Sequence, residues 1–192
     1  MLQLIIAGLW GYLLGAIPTG VIVARVMTGM DVRRQGSRHT GGTNVARVAG
    51  WRGGVLTVVC DILLGAIAVG GARLLSENPW AATVAGVMVI VGHDWSVFIG
   101  FKGGIGLSDL AGATLAFDWW RGLGSGGTFI VLWLLLTKVL RFHRARSTML
   151  GMVIFALMLW GLGMSPPGIA LGALGGLVVI IKTLPDWNRV YA

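Results

Sequence analysis

The side chains best suited to chemistry lie between the first two apolar stretches of the chain. The segment from Arg25 to Arg52 holds six arginines, one aspartate and several glycine and hydroxyl residues. Ser37, Thr43 and Asn44 can donate hydrogen bonds, and nearby glycines let backbone amides turn towards an anion. Arg47 can pair with phosphate oxygens through two parallel hydrogen bonds. The segment therefore predicts a phosphate-binding loop, although a basic loop that only orients a membrane protein has the same composition.

A second loop, FKGGIG at residues 101 to 106, again combines a lysine with glycines. It lacks the spacing and the final Lys-Ser/Thr pair of a P-loop, so it does not predict ATP binding. His93 lies just before it, and an ionisable group at membrane depth is a functional candidate, unless Trp95 anchors it at the interface. Asp61 lies within an apolar stretch and needs an arginine or a hydrogen-bond donor as its partner. The histidines lack the spacing of metal ligands, so no metal is predicted.

Composition identifies the elements that must position these loops. Of the 192 residues, 56% are apolar and 11% are charged, and the mean hydropathy is +0.84. These values are typical of an integral membrane protein. Because about seven spans use nearly the whole length, we expect residues 1–192 to form a single membrane-embedded domain. The net charge of +8 comes from arginines between the apolar stretches, which indicates membrane orientation and predicts no nucleic-acid partner.

The apolar stretches predict an all-α bundle of about seven transmembrane helices. The expected spans are residues 2–24, 55–75, 80–99, 107–117, 129–140, 148–164 and 169–184. Loops on one side carry most of the arginines and lysines, and the loops on the other side carry few. The positive-inside bias then places the N-terminus outside, the C-terminus in the cytoplasm and the basic loops inside.

Three segments of the chain resemble a known family. GAIPTGVIVARVMTGMDVRRQGSRHTGGTNVARVAG, at residues 15 to 50, is similar to the first signature of the bacterial acyl-phosphate-dependent glycerol 3-phosphate acyltransferases. GHDWSVFIGFKGGIG, at residues 92 to 106, resembles their second signature, and RSTMLG, at residues 146 to 151, is a weaker match to the third. The order and spacing of these segments match the family along the whole chain.

The resemblance implies a seven-helix enzyme that moves an acyl group from acyl phosphate to the 1-hydroxyl of glycerol 3-phosphate, giving lysophosphatidic acid and phosphate. It implies a bacterial plasma membrane protein in contact with lipid, with its active site facing the cytoplasm, and no cofactor. The catalytic residues would be Ser37, His93, Ser147 and Asn188. The residues that bind substrate phosphate would be Thr43, Asn44, Arg47, Lys102, Gly103 and Gly104.

The chain departs from the family pattern at several positions. Ile105 replaces the second lysine of K-G-G-K-G, and Pro185 replaces a histidine that precedes Asn188 by three residues. Arg38 and His39 replace other residues of the first signature, and we expect them to restore part of the lost positive charge. The alternatives are a non-catalytic relative that binds a phosphorylated lipid or a partner protein, and a membrane scaffold or transporter. The sequence predicts no particular oligomeric state.

Overall fold

The computed structural model describes residues 1–189, and the regular structure in this range is helical. The helices are α1 (Leu2–Gly15), α2 (Thr19–Thr28), α3 (Gly42–Leu75), α4 (Pro79–Asp94), α5 (Leu107–Phe117), α6 (Trp119–Leu134), α7 (Arg144–Gly161) and α8 (Pro166–Thr183). A π-helical turn, Leu135–Val139, extends α6, and the short 3₁₀ turns are Val32–Arg34, Val97–Ile99 and Leu184–Asp186.

Five helical segments in this range are long and apolar enough to cross a membrane. They are Leu2–Thr28, Gly42–Leu75, Pro79–Ile99, Trp119–Val139 and Pro166–Asp186. Helix α5 is apolar but has only 11 residues. Many large apolar side chains are exposed on the outside of the bundle, as expected of a lipid-facing surface. The all-α membrane class is therefore confirmed, whereas seven spans and the orientation of the termini stay predictions.

The first predicted span, residues 2–24, lies within one candidate span, Leu2–Thr28, but its helix is interrupted between α1 and α2. Pro18 precedes α2, lacks an amide hydrogen and disfavours helical geometry at the residue before it. The hydroxyl of Ser96 donates a hydrogen bond to the Ala16 carbonyl at this break, at 2.5 Å. At the break, the side chain of a distant loop residue, Ser96, therefore supplies a hydrogen bond to a backbone carbonyl.

The predicted end of the first loop at Arg52 was wrong, because α3 begins ten residues earlier, at Gly42. Gly50, with φ 76° and ψ 171°, is not helical and divides α3 into two parts that fold back on each other, since a side chain on Gly42 would collide with Gly54 and Val58. Thr43, Asn44 and Arg47 consequently lie in the short helical part before Gly50. The segment between α2 and α3, residues 29–41, is called the arginine loop below.

Small residues bring the central helices close together. A side chain on Gly11 or Gly15 of α1 would collide with the backbone of α4 at Ala85 or Val89. Helices α3 and α5 approach in the same way, because Gly112 packs directly on the Ile62 carbonyl. These contacts hold α1 against α4 and α3 against α5, with the arginine loop at one end of α3.

Candidate functional site

Asn44 holds the arginine loop in shape. Its Oδ1 accepts a hydrogen bond from the Ser37 amide at 3.1 Å. Its Nδ2 lies 3.0, 3.0 and 2.9 Å from the carbonyl oxygens of Val32, Gln35 and His39. Because Asn44 is 2% exposed and its polar atoms are used within the loop, its role here is to position Ser37. Direct contact of Asn44 with phosphate, as the resemblance implies, stays a prediction.

An ion pair anchors the start of the same loop. Asp31 accepts hydrogen bonds from the Arg33 side chain at 3.0 and 2.7 Å, and Arg25 lies 3.7 Å from it. The hydrogen bond from Arg33 lowers the pKa of Asp31 to about 2, against the opposing effect of burial. Arg33 also donates to the Ile99 carbonyl at 3.0 Å. This arginine therefore ties the arginine loop to the loop that carries Lys102.

A cationic cavity of about 700 Å³ lies between the two loops. Six of its lining residues are cationic, and of these Arg33 and Arg189 are paired with Asp31 and Asp186. Such a concentration of guanidinium and ammonium groups suits phosphate. The lining residues are Arg33, Arg34, Ser37, Arg38, His39, Phe101, Lys102, Gly103, Lys182 and Arg189.

A mixed cavity of about 300 Å³ lies beside it, deeper among the helices. Its polar lining includes five residues predicted from sequence, namely Ser37, Thr43, Asn44, Arg47 and His93. Its apolar lining includes Val58, Ile105, Phe129 and Trp133. Ser37 and His39 line both cavities. The two spaces therefore meet beside these residues, where a charged group and an apolar chain could lie next to each other.

Gly103 and Gly104 serve close packing in this structure. Their amides donate to the carbonyls of Asp94 and His93, at 3.2 and 3.1 Å, and so point towards α4. A side chain on Gly103 would collide with the His93 carbonyl, and one on Gly104 with the His93 ring. Both glycines therefore position the Lys102 loop against His93, and their predicted contact with phosphate is not made through these amides.

His93 belongs to a buried cluster with two carboxylates. Its Nδ1 lies 2.9 Å from Asp109 Oδ2 and 3.9 Å from Asp61 Oδ1. The hydroxyl of Thr19 donates to Asp61, so the predicted hydrogen-bond donor is present and no arginine is needed. The three side chains could hold a metal ion, since one ligand atom from each lies within 4.8 Å of the others. Asp109 was not predicted from the sequence, because it follows the glycine loop without any motif of its own.

His39 forms a second contact that sequence did not predict. Its Nε2 lies 2.6 Å from Asp186 Oδ2, although the two residues are 147 positions apart. Arg189 donates to the other oxygen of Asp186 at 2.9 Å. Arg38, the other residue expected to restore charge, is exposed, has φ 63° and lines the cationic cavity.

Two predicted catalytic residues do not line either cavity. Ser147 is 1% exposed, and its hydroxyl donates to the carbonyl of His143, the residue that caps the start of α7, at 3.1 Å. Asn188 is exposed, and its Oδ1 accepts a hydrogen bond from Arg146 at 2.6 Å. From α7 the mixed cavity is lined instead by Arg144, Ala145 and Thr148. A catalytic role for Ser147 or Asn188 therefore finds no support in the geometry.

The chain is similar to known proteins in sequence and in fold. A family model described as glycerol-3-phosphate acyltransferase matches residues 5–192. A glycerol-3-phosphate acyltransferase of Synechococcus sp. (strain JA-3-3Ab) is 37% identical over 191 residues, which cover 100% of this chain and 91% of that protein. One from Trichormus variabilis is 32% identical over 198 residues, covering 94% and 85%.

Two solved structures are similar along nearly the whole chain. Both are crystal structures of PlsY, an integral membrane glycerol 3-phosphate acyltransferase. The glycerol 3-phosphate form has a TM-score of 0.82 and 27% identity, and covers 97% of this chain and 90% of that one. The lysophosphatidic acid form has a TM-score of 0.80 and 25% identity, with the same coverage.

Proposed function

Because this chain belongs to the glycerol-3-phosphate acyltransferase family, we propose that it transfers an acyl group from acyl phosphate to the 1-hydroxyl of glycerol 3-phosphate. The products are lysophosphatidic acid and phosphate, and the reaction serves phospholipid biosynthesis. The observation that carries the proposal is the meeting of the cationic and mixed cavities at Ser37 and His39. Both substrates carry phosphate, and only the donor carries a long apolar chain, so the reaction needs this combination of surfaces.

The charged groups are arranged to hold two phosphates near each other. Arg47 lines the mixed cavity, and Lys102 and Arg38 line the cationic cavity. Arg47 and Thr43 would therefore contact substrate phosphate in the mixed cavity, and Lys102 would contact it in the cationic cavity on the other side of the junction. Two anion-holding regions match two phosphate-bearing substrates.

The acyl group fits the apolar part of the mixed cavity. Phe129 and Trp133 of α6 face Val58 of α3 across it, beside helices whose outer surfaces suit lipid. An acyl chain that enters from the bilayer along this wall would place its carbonyl near Ser37. The Ser37 hydroxyl can then donate to the oxyanion that develops on the carbonyl, since such donors act most strongly in a partly dehydrated site.

Transfer from acyl phosphate depends chiefly on positioning. The donor is already activated, and a hydroxyl held beside its carbonyl gains the advantage of an intramolecular reaction. We place the protein in the bacterial plasma membrane, with this junction on the cytoplasmic side, because the arginine loop and residues 141–146 each hold three arginines and both contribute to its lining.

The proposal is tested by phosphate release from palmitoyl phosphate, with and without glycerol 3-phosphate, using protein purified in detergent or lipidic mesophase. Arg47→Ala removes a charge-assisted contact worth about 1.5–3 kcal/mol, so kcat/KM should fall roughly 10- to 150-fold. Arg146→Ala is the matched control, because Arg146 lines neither cavity and bonds to Asn188. Folded protein without acceptor-dependent release would reject the enzyme and favour a relative that only binds phosphorylated lipid.

A further inference from the structure

The contact between His39 and Asp186 has the geometry of a catalytic dyad. The Asp186 carboxylate lies 2.6 Å from His39 Nε2 and is 3% exposed, while the side chain of His39 is 19% exposed. A carboxylate at this distance accepts a hydrogen bond from Nε2–H and so fixes the tautomer of the ring. The lone pair is then on Nδ1, the nitrogen that does not face Asp186.

Asp186 is itself held in place. Arg189 donates to its Oδ1 at 2.9 Å, which leaves Oδ2 for His39. The 3₁₀ turn Leu184–Asp186 continues directly from the end of α8, so the carboxylate is carried by a packed helix. His39 is carried by the arginine loop, whose shape Asn44 maintains by its contact with the His39 carbonyl. Two separately supported elements therefore set the direction of the imidazole.

The imidazole lies where a proton must be removed. Only Ser37 and His39 line both cavities among the residues that surround them. The hydroxyl of the acceptor and the carbonyl of the donor must meet at this junction if each substrate occupies the surface that suits it. A base on the arginine loop can reach that hydroxyl from the solvent side.

We propose that His39, positioned by Asp186, is the general base of acyl transfer, an inference that rests on the proposed function above. The 1-hydroxyl oxygen of glycerol 3-phosphate attacks the acyl carbonyl carbon and forms the new ester bond. Its proton passes to His39 Nδ1. The bond between the carbonyl carbon and the phosphate oxygen breaks, phosphate leaves with the electron pair, and the proton then passes from His39 to phosphate or water. No oxidant, metal or cofactor enters this balance.

A different role, in which His39 only adds positive charge for phosphate, makes different predictions. Removal of a base lowers kcat, typically by 10²–10⁴-fold, whereas removal of a phosphate contact raises KM. We therefore expect His39→Asn to lower kcat by about 100-fold or more with little change in the KM for glycerol 3-phosphate. His39→Lys keeps a cation and should lose kcat to the same extent. Added imidazole should restore part of the activity of His39→Ala.

The control is Asn78→Asp. Asn78 lines neither cavity and caps the start of α4, at the end of that helix away from His93, a role that aspartate also fills well. Asp186→Asn tests the positioning role, and its kcat should fall while its thermal unfolding temperature stays near that of the wild type.

Three results would overturn the dyad while leaving the proposed function in place: normal kcat in His39→Asn, full activity in His39→Lys, or a defect confined to KM. Wild-type protein without acceptor-dependent phosphate release would overturn both the dyad and the proposed function.

Discussion

Asn44 should control whether the arginine loop stays closed, and the structure gives the size of its effect. Three hydrogen atoms take part in its contacts: the amide hydrogen of Ser37, which Oδ1 accepts, and the two of Nδ2, which face three loop carbonyls. A typical net contribution of about 1 kcal/mol for each hydrogen bond gives roughly 3 kcal/mol for the side chain. Asn44→Ala should therefore raise the population of open loop about 100-fold, at 1.4 kcal/mol per factor of ten.

Trypsin can measure that opening directly. Arg34 and Arg38 are exposed residues of the arginine loop, and cleavage after either of them requires the backbone to unfold locally. When opening and closing are fast relative to cleavage, the cleavage rate follows the population of the open form. We expect the cleavage rate of Asn44→Ala in detergent to exceed that of the wild type by about the same 100-fold factor, while global unfolding by tryptophan fluorescence changes less.

Thr43→Ala provides the control for this measurement. Thr43 is exposed on the same helical turn, and its substitution should leave the tryptic cleavage rate within about threefold of the wild type. If Asn44→Ala is also cleaved within threefold of the wild type, Asn44 does not hold the loop and the reasoning from its hydrogen bonds is wrong.

Two further predictions concern helix packing and pH. Gly15→Ala places a methyl group against the Val89 carbonyl and should lower the thermal unfolding temperature by several degrees. Gly126→Ala is the control, because a methyl group there enters open space and should leave the unfolding temperature nearly unchanged. Equal shifts in the two variants would contradict close packing of α1 on α4. For Asp31, the folded pKa of about 2 lies below the unfolded value, so its stabilisation is complete above about pH 4 and is lost as the pH falls through 2. Asp31→Asn should therefore be less stable than the wild type at pH 6, and the difference should shrink between pH 4 and pH 2; a gap that stays constant over this range would argue against the ion pair with Arg33.

Hydropathy was sufficient to predict the class of fold, because each apolar stretch is an extended local signal. It could not locate the break at Pro18 or the start of α3 at Gly42. The first depends on whether Ser96, far along the chain, can satisfy the Ala16 carbonyl. The second was hidden by glycines that are typical of loops, although the chain is helical on both sides of Gly50. Both boundaries depend on tertiary contacts that a local pattern does not contain.

The candidate site was predictable where its residues are close in sequence. Ser37, Thr43 and Arg47 fall within eleven positions, and the loop and the first turns of α3 bring them to one cavity. Asp109 was missed because its relation to His93 depends on the packing of α5 against α3 and α4. Ser147 was chosen by its position in a weak match, yet its side chain faces the backbone of its own helix.

A position-by-position comparison with the family pattern does not include the contact between His39 and Asp186, the residue next to Pro185. Position by position, Pro185 marks the loss of a histidine, and His39 is only an unusual residue of the first signature. In the fold, however, His39 contacts Asp186, the residue next to Pro185, so an imidazole occupies this part of the structure although it comes from a different element. If His39→Asn abolishes turnover, the replacement at Pro185 is a relocation of the histidine and not evidence that activity has been lost.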